Sequence, residues 1–104
     1  MYCIKLQSEY NDLDKYDNGI GTIFYCKKDT NTYHNPYGPA IIWKSGYKRY
    51  CINGKRHRLD GPAITYSNGD IRYFINNQEL SKQEFDAHPE RLKFIAKGHL
   101  ACLG

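Results

Sequence analysis

The chain has 104 residues, enough for one small domain with a single modest core. Fifteen Lys and Arg against eleven Asp and Glu leave a net charge of +4, which permits an acidic partner without demanding one. No stretch approaches the ~20 apolar residues of a membrane span. The start Met1-Tyr2-Cys3-Ile4-Lys5 lacks the pattern of a secretory signal, and Cys3, Cys26, Cys51 and Cys102 form no CxxC pair, so free thiols in a reducing cytoplasm are the expectation.

Residues 1–20 carry the least pattern. Met1 to Leu6 reads as a short strand, followed by an acidic, turn-rich stretch with Glu9, Asp12, Asp14 and Asp17. Asp17-Asn18-Gly19 is a turn signal. Residues 21–27 read as a strand, and Tyr25-Cys26 aligns with Tyr50-Cys51 further on, as the back half of a degenerate first unit with a connection two residues longer. Because the following unit has Phe74 in place of these cysteines, Cys26 and Cys51 read as small buried hydrophobes.

Residues 34–52 then recur, shifted by 23, as residues 57–75. His34-Asn35-Pro36-Tyr37-Gly38-Pro39-Ala40-Ile41-Ile42-Trp43 aligns with His57-Arg58-Leu59-Asp60-Gly61-Pro62-Ala63-Ile64-Thr65-Tyr66, and Arg49, Tyr50, Ile52 and Asn53 align with Arg72, Tyr73, Ile75 and Asn76. A fixed period of this kind is one supersecondary unit laid down twice. Ser45-Gly46 and Asn68-Gly69 lie between β-rich runs and predict hairpins. With two-residue turns, Ile64 would face Tyr73, Tyr66 would face Ile71, Trp43 would face Lys48, and Ile42 would lie on the reverse face with Arg49. Asn53-Gly54 predicts a second turn that joins one unit to the next. Gly38-Pro39 and Gly61-Pro62 remove ladder donors, so each unit should open with a kink or bulge.

After Asn77 the period stops. Ser81 with Glu84 has the form of a capping box, and Leu80 precedes it as a staple toward Phe85. Pro89 predicts a second helix to about Lys97, stopped at Gly98, with Leu92, Phe94, Ile95 and Leu100 packed over the last hairpin. The expected fold is mostly β: a curved antiparallel meander of two to three hairpin repeats over residues 21–79, with a small helical cap over 80–104, in a single domain.

The run Tyr50-Cys51-Ile52-Asn53-Gly54-Lys55-Arg56-His57 with the later Asn68-Gly69 resembles a MORN repeat. Its His57-Arg58-Leu59-Asp60-Gly61-Pro62-Ala63 core is similar to a variant found in small phage and bacterial proteins. The units depart from the usual MORN pattern after the His, where Arg58 and Asp60 replace glycines. The resemblance implies tandem hairpins, and roles in protein scaffolding, dimerisation or phospholipid binding.

Recurrence sorts the candidate residues. His34 and His57 recur with their neighbours, which favours a structural part over catalysis; Asp60 stands near His57, but the other unit has Tyr37 there. No His or Cys pair has metal-ligand spacing, and no cofactor motif is present, so neither a metal nor a cofactor is expected. Trp43, the single Trp, and Tyr47 flank a turn and have no counterparts of the same type. They could anchor a protein interface, although burial of Trp43 in the core is the stronger expectation for its place in the repeat. Ile42 is an apolar residue expected on the outer face, and Lys48, Arg49 and Arg72 add charge nearby. Trp43, Tyr47, Lys48, Ile42, Arg49 and Arg72 are therefore the expected partner-binding residues. The expected function is binding without catalysis: a small cytoplasmic protein-interaction module, phage-encoded on the resemblance, that inhibits or redirects a host or viral protein, with a homodimer as another arrangement. The rival reading is an electrostatic binder of nucleic acid or acidic phospholipid through Arg49, Arg72, Lys48, Lys55, Arg56 and Arg58.

Overall fold

The computed structural model describes residues 3–103, with side chains described to residue 97. The expected contribution of Leu100 and the states of His99 and Cys102 lie outside the described side chains. Among the described residues, ten strands are followed by two helices: β1 (Ile4–Leu6), β2 (Leu13–Asp17), β3 (Thr22–Lys27), β4 (Ile41–Trp43), β5 (Lys48–Arg49), β6 (Cys51–Ile52), β7 (Lys55–Arg56), β8 (Ile64–Thr65), β9 (Ile71–Ile75), β10 (Gln78–Leu80), α1 (Lys82–Asp86) and α2 (Pro89–Leu103). Eight strands form one antiparallel sheet in the order β1-β2-β3-β4-β5-β8-β9-β10, while β6 and β7 pair as a separate ribbon. The fold is mostly β with a small α cap.

The two aligned segments make the same backbone bonds. Ala40 N–H donates to Arg49 C=O at 2.8 Å, and Ala63 N–H to Arg72 C=O at 2.9 Å. Ile41 also pairs with Arg49, and Ile64 with Arg72. Two residues thus oppose one in each unit, which is the geometry of a β-bulge, placed directly after the Gly-Pro pair. Ala40 and Ala63 are fully buried there. The same set of bonds extends back toward the N-terminus. His34 N–H donates to Tyr25 C=O as His57 N–H does to Tyr50 C=O, each at 3.1 Å. The hairpin β2–β3 also has a three-residue loop, with Asn18 N–H donating to Thr22 C=O and Gly21 left-handed in the third place at φ +97°, but here the first loop residue, Gly19, is left-handed as well at φ +85°.

The turns correct the expected register by one residue. Trp43 N–H donates to Tyr47 C=O, and Gly46 N–H returns to Trp43 C=O; Tyr66 with Asp70 and Gly69 repeats this. Each loop has three residues, with glycine in the third, left-handed place at φ +107° (Gly46) and +94° (Gly69). Asn68 is not left-handed, so these are not the two-residue turns in which both central residues need positive φ. Asn53-Gly54 is such a turn, with φ +52° and +79°, and Asn76-Asn77 is another at +51° and +71°. Ile41 therefore faces Arg49, and Ile42 faces Lys48. A one-residue slip exchanges the faces of the pleat, so Arg49 joins the face of Trp43 and Lys48 leaves it.

Two other expectations are revised at the N-terminal end and in the tail. The acidic stretch contains β2, in which the buried Asp14 carboxylate accepts Asp29 N–H at 2.8 Å and lies 3.4 Å from Lys5 Nζ. These partners satisfy a charge that otherwise argues against a strand. Burial shows that Leu92 and Phe94 stay exposed instead of packing on the hairpin, with Ile95 half-buried, and α2 continues through Gly98 to Leu103. Glycine inside a helix costs about 1 kcal/mol relative to alanine but does not by itself end it.

The core is a chain of small contacts. Ala63, Ile64 and Phe74 form a cluster against which Tyr47 and Tyr50 pack. Among the described residues, Ile75 and Phe85 are the largest side chains wholly out of water. Phe85 comes from α1, whose capping box is complete: Ser81 Oγ accepts Glu84 N–H at 3.1 Å, and Glu84 accepts Ser81 N–H at 2.8 Å. The ring of Phe85 sits 4.5 Å from that of Tyr73, fastening the cap to β9. Each such buried side chain contributes roughly 1.5–3 kcal/mol.

Candidate interaction surface

The register builds one distinctive surface. Tyr16, Phe24, Ile41, Arg49 and Ile64 are successive cross-strand partners and share a face with Thr22, Trp43 and Tyr47. On it runs an open groove of about 1200 Å³. Its walls include Phe24, Tyr33, Trp43, Tyr47 and Tyr66, over a floor that includes Ile41. The rings touch in two separate groups. Trp43 and Tyr47 have centroids 5.1 Å apart at 48°, Tyr47 and Tyr66 5.6 Å at 62°, and Phe24 and Tyr33 5.8 Å at 86°. Tilted and edge-to-face pairs of this kind contribute about 0.5–1.5 kcal/mol beyond buried area, so the aromatic face is held in place by its own ring contacts.

Trp43 is 50 % exposed, which corrects its expected burial in the core. It sits at the last paired position before the loop, where the sheet ends and no layer covers it. Tyr66, its counterpart in the next unit, is on the same groove. Of the six expected partner-binding residues, Trp43, Tyr47 and Arg49 come together here. Arg49 donates through Nε to Tyr47 Oη at 2.8 Å and lies over that ring. Ile42 and Lys48 are cross-strand partners on the opposite face. Arg72 is away from the groove and paired with Glu79 at 2.8 Å. Phe24, Tyr33 and Tyr66 were not among the expected residues. The alignment of Trp43 with Tyr66 was a signal for the last; Phe24 and Tyr33 depend on how β3 is placed beside β4.

The basic residues of the rival reading are largely engaged within the protein. Arg56 lies over Phe74 at 4.2 Å and donates to Asn77 Oδ1. Arg58 lies over Tyr50 at 4.0 Å, pairs with Asp60 at 2.8 Å and donates to Pro62 C=O. These guanidinium groups cover aromatic rings and tie loops, as planar cations do well.

The histidines have a defined task. His34 Nδ1 accepts Asn53 N–H at 2.9 Å, and His57 Nδ1 accepts Asn76 N–H at 3.0 Å. Each thus holds the first residue of a left-handed turn, and each must be neutral at Nδ1 to do so. Burial pushes both imidazoles below their ordinary pKa of 6.5, with Lys27 adding to the effect at His34 and His88 at His57. Asp60 is committed to Arg58, so it is not the partner of His57. Among the described residues no three His, Cys, Asp or Glu side chains gather as a metal site would need. Cys26 and Cys51 are buried, and burial raises both thiols, whereas Cys3 is exposed. No helix among the described residues is long and apolar enough to cross a membrane. Comparison with protein-family models, with curated proteins and with solved structures finds no match to this chain.

Proposed function

We propose that the chain is a small protein-interaction module that holds a partner protein in the aromatic groove at Trp43 and Tyr47. The observation that carries this reading is a half-exposed Trp43 ring fixed against Tyr47 on a face where five aromatic residues line one groove. Aromatic side chains of this type, held rigid and partly dry, are the usual energetic centres of protein interfaces. On the resemblance of the His-Arg-x-Asp-Gly-Pro-Ala units to small phage and bacterial proteins, the partner is a host or viral protein that the module inhibits or redirects in the cytoplasm.

Affinity capture from a host lysate, with wild type beside Trp43→Ala and Tyr47→Ala, tests the reading. The expected result is one stoichiometric protein retained by wild type and lost from both variants. The loss should be on the order of 2 kcal/mol or more in binding, with thermal unfolding little changed because Trp43 is half in water. Recovery of nucleic acid alone, released steeply by salt, would instead establish the electrostatic reading.

A further inference from the structure

The groove has a charge character as well as an aromatic one. Lys44 and Arg49 line it, and no Asp or Glu does among the described residues. Lys44 is held at the rim by its backbone, which donates to Gly21 C=O at 2.7 Å across the neighbouring loop. Gly21 leaves the space its stem occupies: a Cβ there would meet Lys44 Cβ at 2.8 Å. Lys44 is exposed and lines the groove together with its chain neighbours Trp43 and Ser45.

We infer that the groove takes a short linear segment of a partner protein with one bulky apolar side chain flanked by carboxylates. This rests on the protein-binding reading above and names the chemistry of what is bound. Charge complementarity supplies the acidic part: two cations and no carboxylate face a segment that must be steered and held. Ring geometry supplies the apolar part. Consecutive nucleobases stack on ring faces that are open and follow a line of cations. Here Trp43 and Tyr47 stand at 48° to one another and Tyr47 and Tyr66 at 62°, so they present a faceted wall rather than a ladder of platforms. Lys48 is on the other face, so among the described residues no line of cations follows these rings. One side chain fitted against the Trp43 and Tyr47 facets, with its acidic neighbours toward Lys44, satisfies both features.

Trp43 is the chain's one tryptophan, so its fluorescence reports this groove alone. Purified full-length protein is titrated with a short peptide carrying a central Phe between Asp and Glu residues, with its twin in which Lys replaces the acids, and with oligothymidylate. The expected result is a saturable change in Trp43 emission with the acidic peptide. The Lys twin should bind about tenfold or more weakly, and Lys44→Glu should weaken the acidic peptide about threefold to tenfold without altering the circular dichroism spectrum. Equal binding of the two peptides would overturn the acidic assignment. A response to oligothymidylate in place of the peptides would show a nucleic-acid groove. Silence toward the acidic peptide, while a captured lysate protein still depends on Trp43, would overturn this inference and leave the protein-binding reading standing.

Discussion

His57 Nδ1 accepts the backbone N–H of Asn76, nineteen residues later in the chain, and His34 repeats the bond with Asn53 at the same separation. The imidazole thereby ties the start of one unit to the left-handed turn that ends it. Both side chains have folded pKa values below the ordinary 6.5 through burial. The folded state then binds fewer protons than the unfolded chain once the pH falls below about 6.5. The contribution of these two histidines to stability is fully present above that pH, declines as pH falls through the window, and is lost once pH passes the depressed folded values. Urea unfolding at about pH 7.5 and about pH 5 should show a lower midpoint at the acid end. The double variant His34→Ala, His57→Ala should be weaker at neutral pH by roughly 1 kcal/mol per bond and should have a flatter pH dependence. An unchanged slope would show that other groups carry it.

Gly21 and Gly69 hold equivalent loop places with different surroundings. Both are left-handed, but a Cβ at Gly69 meets nothing within 4 Å, whereas one at Gly21 meets Lys44 at 2.8 Å. Gly69→Ala should cost about 1 kcal/mol from backbone strain alone. Gly21→Ala should cost more, and it should also shift the emission of Trp43 by moving the loop beside it. Thermal melts of the two variants under one condition decide the order.

The thiols should react in two classes. In a Cys102→Ser background, a thiol reagent should label Cys3 at once and reach Cys26 and Cys51 only on unfolding, because the latter two are buried with raised pKa values. Immediate labelling of all three would show that the sheet opens readily around β3 and β6.

The helical cap is expected to be part of the cooperative unit. Phe85 is 1 % exposed, so Phe85→Ala should cost about 3–5 kcal/mol, a large share of the stability of so small a domain. Ser81→Ala removes one bond of the capping box and should cost about 1 kcal/mol. Denaturant midpoints measured on both check the expectation; a Phe85 variant with wild-type stability would make the cap an appendage.

Much of the architecture is written locally. The recurrence of residues 34–52 as 57–75, the Asn53-Gly54 turn, the Gly-Pro pairs before the bulges and the Ser81–Glu84 cap are all short-range chemistry, and each has one favoured backbone outcome. The burial of Cys26 and Cys51 also follows from their replacement by Phe74 at the aligned position. Where local rules admit two outcomes, they do not decide. Asn68-Gly69 satisfies a two-residue turn and a three-residue loop alike, since both accept a left-handed glycine. β2 was hidden because Asp14 counts against a strand until Lys5 and Asp29 are brought beside it.

The sequence by itself determined that this chain would be a repeated antiparallel hairpin with a capped helical end. Periodicity and turn chemistry act within a few residues, so a linear reading captures them. Only the tertiary structure decided which side chains share a face. That choice depends on a one-residue register, set by the three-residue loops at Gly46 and Gly69 and by the bulges at Ala40 and Ala63. It brought Tyr47 and Arg49 to Trp43, sent Ile42 and Lys48 to the other side, and laid Phe24 and Tyr33 along the groove from a different part of the chain. Alternation of the pleat makes every such assignment all-or-none, so a single residue of slip decides whether Arg49 or Lys48 stands beside Trp43.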